Sequence, residues 1–332
     1  MTRLRADTEC ALSIIIPLYN RSSRIGGTLA SLPLSDEIIR QQEIEIIIVD
    51  DGSKDGSAEA AEAAARALGV QDMVHILRQD NAGPGAARNT GAAAARGRLL
   101  AFLDSDDFWC APTLQTCLDL AHHDMALAFL RNLDTRAPET MPPMVGDATV
   151  EIRIHDTFLA AVAADNSIRF AACNVVIPRA IFEAHGGFTD QTRCSEDSDL
   201  FLRLNGVGPC LTTHGAPLVL HVLGEDDQLS RNAHAVQQGL DFMMGRAADH
   251  IYPDPSGGRA LKNFLAQAVA YTCRIHFEEG NLLTAYGLIL RRGRLLLGSD
   301  QTRWIWRLCL YPLLAWMRPH TYRMGRLRRA GR

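Results

Sequence analysis

Four short apolar runs, each set off by a helical stretch, constrain this chain more than any other feature. They are Ser13-Ile14-Ile15-Ile16, Glu45-Ile46-Ile47-Ile48-Val49, Val74-His75-Ile76-Leu77 and Leu99-Leu100-Ala101-Phe102-Leu103. Uninterrupted β-branched and aliphatic runs of this length read as strands buried on both faces. Between them the spacing predicts helices ending near residue 32, over 58–68 and over 86–96. Asp55 or Ser57 is a candidate N-cap for the second, and Gly69 and Gly97 act as stops. Pro112 suits the first turn of a further helix reaching about residue 122. Strands alternating with helices imply right-handed crossovers and a mostly parallel α/β sheet, with ligands bound outside the carboxyl ends of the strands.

Beyond a Pro-containing loop (Pro138, Pro142, Pro143) the pattern is mixed. A helix is expected near 156–164, a strand over 172–177 and a helix over 195–204. From about residue 233 helices dominate, near 235–250, 259–278, 282–297 and 302–317. Two domains are therefore expected. Residues 1–232 form an α/β unit with halves at about 11–130 and 150–232, and residues 233–332 form a helical region.

Charge divides along the same line. The chain of 332 residues has a net charge of −4, while residues 301–332 hold eight arginines and no acid, which leaves −12 on residues 1–300. Eight cysteines lie without any CxxC pair, so buried reduced thiols are expected rather than a zinc or disulfide framework. The apolar run at 11–16 is too short for a signal-peptide core, and no stretch reaches the roughly 20 apolar residues of a membrane span. A cytoplasmic protein is expected.

Acids gather where the second and fourth strands end. Asp104-Ser105-Asp106-Asp107 places three carboxylates in four residues, which repel one another unless a cation sits among them. Oxygen ligands select hard ions such as Mg²⁺ or Mn²⁺, which commonly bridge to phosphates. A solvated acidic turn is the bland alternative, and the apolar strand directly before it weighs against that. Asp50-Asp51-Gly52-Ser53 reads either as a glycine turn or as carboxylates that accept hydrogen bonds from a sugar hydroxyl or a base N–H. Gly83-Pro84-Gly85-Ala86-Ala87-Arg88 only superficially matches a dinucleotide loop, because Arg88 stands at the third glycine.

Five segments in order carry a resemblance. They are Ser13 to Asn20 with Pro17-Leu18-Tyr19-Asn20, Ile48 to Ser53, Asn81-Ala82-Gly83 continuing to Arg88-Asn89, Phe102 to Asp107, and Gly186-Gly187-Phe188 leading to Glu196-Asp197-Ser198-Asp199-Leu200 and Arg203. Over about residues 12–232 the chain resembles the family 2 glycosyltransferases of the GT-A fold. The resemblance implies an inverting enzyme that uses a nucleotide-sugar donor. It places Pro17, Tyr19, Asn20, Arg21, Asp50, Asp51, Arg88, Asp104 and Ser105 at the donor, with Asp51 on the base. Asp106 is the first choice for Mn²⁺ or Mg²⁺, with Asp107 beside it, and Asp197 is the general base. Glu196 and Asp199 would support the acceptor or the base's setting. His221 stands where the family often has a histidine near the donor phosphates or metal, although a lone strand histidine also reads as a satisfied core residue. The family's aromatic-rich acceptor loop is replaced by Gln191-Thr192-Arg193-Cys194-Ser195.

Two alternatives stay open on sequence. A haloacid-dehalogenase-type phosphatase also has a strand followed by DxD, but it wants Thr or Val two residues after the second Asp and leaves the other acids unexplained. An inactive sugar-nucleotide-binding scaffold is disfavoured by the presence of Asp106, Asp107 and Asp197. The basic tail, with Trp304, Trp306 and Trp316 among its arginines, suits peripheral contact with an anionic membrane at its cytoplasmic side. Partitioning of the chain with and without residues 300–332 tests that expectation. No nucleic-acid recognition motif accompanies the arginines. A glycan or lipid-linked saccharide is the expected acceptor, in synthesis of a bacterial surface polysaccharide.

Overall fold

The computed structural model describes residues 10–34, 44–136, 149–165, 168–223, 232–297 and 299. The first seven elements are β1 (Leu12–Leu18), α1 (Ile25–Ser31), β2 (Ile44–Asp50), α2 (Ser57–Ala67), β3 (Val74–Arg78), α3 (Pro84–Ala94) and β4 (Leu99–Phe102). These four strands lie in the spatial order β3-β2-β1-β4, all parallel, with Ile14 opposite both Ile46 and Ala101. Every residue of β2 is buried, and six of the seven in β1, as a strand covered on both faces requires. From β1 the chain steps outward to β2 and β3 and then returns to β1's other side for β4. That reversal makes a topological switch point, where open parallel sheets form a crevice. Because β1, β2 and β4 run the same way, their carboxyl ends bring Asn20, Asp50 and Asp104 to one edge.

The next elements are β5 (Phe108–Trp109), α4 (Thr113–Leu120), β6 (Leu127–Phe129), β7 (Asn132–Thr135), β8 (Val150–His155), α5 (Phe158–Ala164), β9 (Val175–Pro178), α6 (Arg179–Ala184), α7 (Glu196–Arg203), β10 (Cys210–Gly215) and β11 (Val219–Val222). They extend the main sheet to eight strands, β3-β2-β1-β4-β9-β6-β10-β8. β9 is antiparallel to both β4 and β6, and β8 is antiparallel to β10, so the sheet remains mostly parallel. A small sheet, β5-β11-β7, pairs Leu220 with Phe108 and so sets His221 beside the turn that follows β4. Phe102, Phe182 and Phe188 pack ring to ring at 5.2–5.5 Å, seating the approach to α7 against the end of β4.

Two sequence expectations shift. A 3₁₀ turn takes Ala172–Asn174, and β9 starts only at Val175. The Asn174 amide explains the delay, since it donates to Leu130 O and Arg169 O, both at 2.7 Å. The helix expected over 282–297 breaks at Arg292 into α10 (Leu282–Arg291) and α11 (Gly293–Leu297). These follow α8 (Ala233–Ala248) and α9 (Arg259–Glu278), and the four helices share a core of Leu240, Val269, Cys273, Ala285, Leu288 and Leu296.

Two compact units result. One comprises Met1–Asp226 and His250–Pro253, the other Asp227–Asp249 and Asp254–Arg332. The boundary expected at 232–233 is thus interleaved. Residues 250–253 belong to the first unit because the Tyr252 hydroxyl donates to Asp199 (2.8 Å) and the Asn205 amide donates to Pro253 O (2.6 Å). The arginine-rich tail, the helix expected at 302–317 and Gln228 to Arg231 lie outside the described residues. Among those described, no helix is long and apolar enough to cross a membrane. Of the seven cysteines among the described residues, six are buried and Cys194 is half-buried.

Candidate functional site

The loops after β1 and β2 are stitched to each other. Asn20 adopts a left-handed backbone conformation (φ 49°), which lets its amide oxygen accept the Lys54 N–H at 2.9 Å while its own N–H reaches Ser53 Oγ at 3.0 Å. Asp50 accepts the Ser53 N–H at 2.9 Å, and the Arg21 N–H donates to Ser57 Oγ at 2.7 Å. Asp51 is buried and accepts from Gln79 Nε2, Ala82 N and Gly83 N, each at 2.8 Å. Its carboxylate thereby fixes the loop that opens α3, where Gly83 supplies a φ of +97°. Pro17 closes this wall from within β1, and Tyr19 stands at its rim, 47% exposed.

The turn between β4 and β5 presents its acids in two directions. Asp106 Oδ2 accepts from Arg21 Nε at 3.1 Å, and Asp104 Oδ1 accepts from Arg88 Nη2 at 2.7 Å. Both side chains keep some exposure, 18% and 32%. Among the described residues, each has a second oxygen without a hydrogen bond. Two uncommitted carboxylate oxygens two residues apart, at the mouth of a crevice, fit a hard divalent ion such as Mg²⁺ or Mn²⁺. Ser105 is buried between them, its carbonyl accepting from Thr28 Oγ1 at 3.0 Å.

Asp107 turns inward. It is fully buried, and its oxygens accept from His221 Nδ1 at 3.1 Å and from Val222 N at 2.9 Å. Burial pushes the Asp107 carboxyl up, with the hydrogen bond from His221 opposing. Burial also works against a charged His221, but its contact with Asp107 outweighs that and raises the imidazole. The structure therefore pairs the expected ligands Asp107 and His221 with each other.

Arg88 joins the two acidic segments. It is buried, and while Nη2 holds Asp104, Nη1 donates to Glu196 Oε1 at 2.9 Å. Burial disfavours its charge, yet Asp104 and Glu196 more than compensate and raise its pKa. Glu196 opens α7 and is 7% exposed. Burial first, and then the neighbouring Asp197, push it up to about 7 against the pull of Arg88. Asp197 is half-buried, and one of its oxygens accepts the Ser198 N–H at 2.6 Å. Asp199 turns into the interior. It is wholly buried, held by Arg203 Nε and the Tyr252 hydroxyl, both at 2.8 Å, and so serves the packing of α7.

Sequence reasoning missed several participants. Gln79 follows β3 and had no motif around it, although a polar side chain at the carboxyl end of a parallel strand is a usable signal. The Arg88–Glu196 pair spans 108 positions, a separation no local pattern reveals. Arg193 packs its side chain 3.5 Å from where a Cβ on Gly83 would sit, at the entrance to α3.

Comparison with known proteins agrees with this architecture. The chain is 28% identical over 206 residues to the succinoglycan biosynthesis protein ExoU of Rhizobium meliloti, covering 60% of this chain and 58% of that protein. It is 32% identical over 133 residues to the poly(ribitol-phosphate) β-N-acetylglucosaminyltransferase TarS of Staphylococcus aureus, covering 39% and 22%. The chain thus spans less than two thirds of the length of either relative. The structure of TarS 1–349 in complex with UDP-GlcNAc superposes with a TM-score of 0.54 at 16% identity, over 87% of this chain and 92% of that one. The mannosyltransferase PcManGT of Pyrobaculum calidifontis, in complex with GDP-Man and Mn²⁺, gives 0.56 at 16% identity, over 94% and 91%. These neighbours share the GT-A fold. The model of glycosyl transferase family 2 matches residues 13–186, more than half of the sequence, and the chain belongs to that family.

Proposed function

We propose that the chain is a metal-dependent, inverting glycosyltransferase that moves a sugar from a nucleoside-diphosphate sugar to a glycan or lipid-linked acceptor. The observation that carries this reading is the division of labour around Arg88. Asp104 and Asp106 offer free oxygens on one side, and Asp197 stands on the other with Glu196 committed to the guanidinium. Pro17, Tyr19, Asn20, Arg21, Asp50 and Asp51 form the wall for the nucleotide, with Asp51 reading the base. Ser105 supports the turn beneath the donor.

A divalent ion on Asp104 and Asp106 would act as a Lewis acid toward the departing diphosphate. Arg21 and Arg88 hold those carboxylates in place and add positive charge where the leaving group develops its negative charge. Asp197 takes the proton of the acceptor hydroxyl as that oxygen attacks the anomeric carbon. With Glu196 paired to Arg88, one carboxylate of the pair is left for proton transfer, which suits a single displacement. The names of the succinoglycan and poly(ribitol-phosphate) relatives support synthesis of a bacterial surface glycan. Peripheral membrane contact through residues 301–332 remains part of the proposal.

Release of nucleoside diphosphate from a panel of UDP-, GDP- and dTDP-sugars tests the reading. One donor should turn over with Mn²⁺, stop with EDTA and recover when Mn²⁺ is returned. Turnover unaffected by EDTA would reject metal dependence, and hydrolysis of simple phosphomonoesters in its place would favour the phosphatase.

A further inference from the structure

The helical unit carries an apolar face that its own core does not use. Apart from Thr284 and the Tyr286 hydroxyl, no polar side chain occurs in α10 before Arg291. One side of the helix, with Ala285, Leu288 and Ile289, is buried in the four-helix core. On the other side Leu283 and Leu290 are 92% and 82% exposed, two helical turns apart on one face. Tyr286, between them along the helix, rests its ring against Phe277 at 5.2 Å. Leu297, at the end of α11, adds a third leucine at 69% exposure. Single exposed leucines are ordinary on a protein surface. A helix apolar on both sides is not, because such helices belong in an interior, an interface or a membrane surface.

We propose that the outer face of α10 and α11, centred on Leu283, Leu290 and Leu297, docks on an anionic lipid bilayer. The inference rests on the peripheral-membrane part of the reading above and deepens it. It assigns the apolar anchor to these two helices and leaves the arginine-rich tail an electrostatic part. Charge selects this occupant. Arg291 and Arg294 are exposed, and no acid occurs anywhere from 280 to 299. Arg292 reaches Asp241 at 3.4 Å, and Glu279, just before the face, is taken up by Ala233 N and Asn281 Nδ2. Past Asp300 come the eight arginines of 301–332. A second copy of the chain is a poor occupant, because a self-complementary interface would join two surfaces that both carry arginine and no acid. A leaflet of anionic headgroups supplies the missing sign. Leucines on such a face enter the boundary between headgroups and acyl chains, about 5–10 Å deep. The arginines can lay their methylenes along the apolar surface and keep their guanidinium groups at the phosphates. Docked in this way, the chain stays at the surface where a lipid-linked acceptor resides.

The test is flotation of the full chain with phosphatidylcholine vesicles, with and without phosphatidylglycerol. The chain should float with the mixed vesicles and far less with phosphatidylcholine alone. Leu283→Gln and Leu290→Gln should each weaken partitioning by about tenfold, and the two together with Leu297→Gln by about 100-fold or more. These side chains already stand in water, so circular dichroism and the melting temperature should not change. The single variants keep the test decisive should the triple variant fail to fold. Leu68→Gln, at an exposed leucine of the other unit, should float like the parent. A triple variant that floats like the parent would overturn the assignment of this face and leave contact through 301–332 standing. A parent chain that fails to float would overturn both. Equal flotation with phosphatidylcholine alone would overturn the choice of an anionic surface. Self-association by ultracentrifugation that the triple variant loses, without flotation, would give the face to a second copy instead. None of these readouts depends on sugar transfer, so failure of the glycosyltransferase reading is seen separately.

Discussion

Asp197→Asn should reduce kcat/KM for glycosyl transfer by about 10²–10⁴-fold, the contribution expected of a general base, while donor affinity stays unchanged. The substitution preserves shape and removes the proton acceptor. It also relieves Glu196 of a like charge, one of the two influences that raise its pKa. Glu196 therefore becomes more fully ionised and its pair with Arg88 tightens, so the scaffold is not expected to weaken. Titration calorimetry of the donor in the presence of Mn²⁺, beside steady-state kinetics, separates the two effects. Equal losses in donor binding and turnover would place Asp197 in the donor pocket instead, and full activity would remove it from the chemistry.

Arg88→Met carries the largest expected cost in stability. The side chain is buried and is the shared partner of Glu196 and Asp104. Removing one member of a buried ion pair costs about 3–5 kcal/mol, because the remaining charge has lost both water and partner. Asp104 keeps 32% side-chain exposure and can rehydrate, whereas Glu196, at 10%, cannot. A fall of about 3 kcal/mol in unfolding free energy by urea denaturation is therefore expected. The sign with pH follows from Glu196. Its folded-state pKa is already raised to about 7, and losing Arg88 raises it further, so the variant loses more stability as pH rises from the unfolded value toward and past that range. Arg88→Met combined with Glu196→Gln should recover part of the loss by removing the orphaned charge. Arg88→Lys should recover little, since one ammonium cannot reproduce a two-sided guanidinium grip. An Arg88→Met protein as stable as the parent would mean the two acid segments hold their places without it.

What could be read from the amino acids divides along physical lines. β1, β2 and β4 were legible because their apolar runs are continuous, a local signature of strands covered on both faces. The acids at their ends were legible because parallel topology dictates which end faces ligand. β6, β8 and β10 were not. Cys210-Leu211-Thr212-Thr213-His214 mixes polar with apolar residues, and its strand character comes from pairing with β6 and β8. Among the site residues, positions in motifs could be named in advance, but their partners could not. Asp107 and Asp106 look equivalent in sequence, yet one is sealed against His221 and the other faces Arg21. Asp199 reads as a site acid beside Glu196 and Asp197, but a helical turn rotates it into the interior against Tyr252. Each of these outcomes depends on a residue 50 or more positions away, which periodicity and spacing do not report.

The proposed reaction is one displacement at the anomeric carbon, assisted by Asp197 across from the Asp104–Asp106 turn. Its most direct test is ¹H NMR of the product formed in the first turnovers from an α-configured nucleotide sugar with Mn²⁺. A single displacement gives a β-configured product from the outset. An α-configured product would show two displacements and a covalent intermediate, and would contradict it.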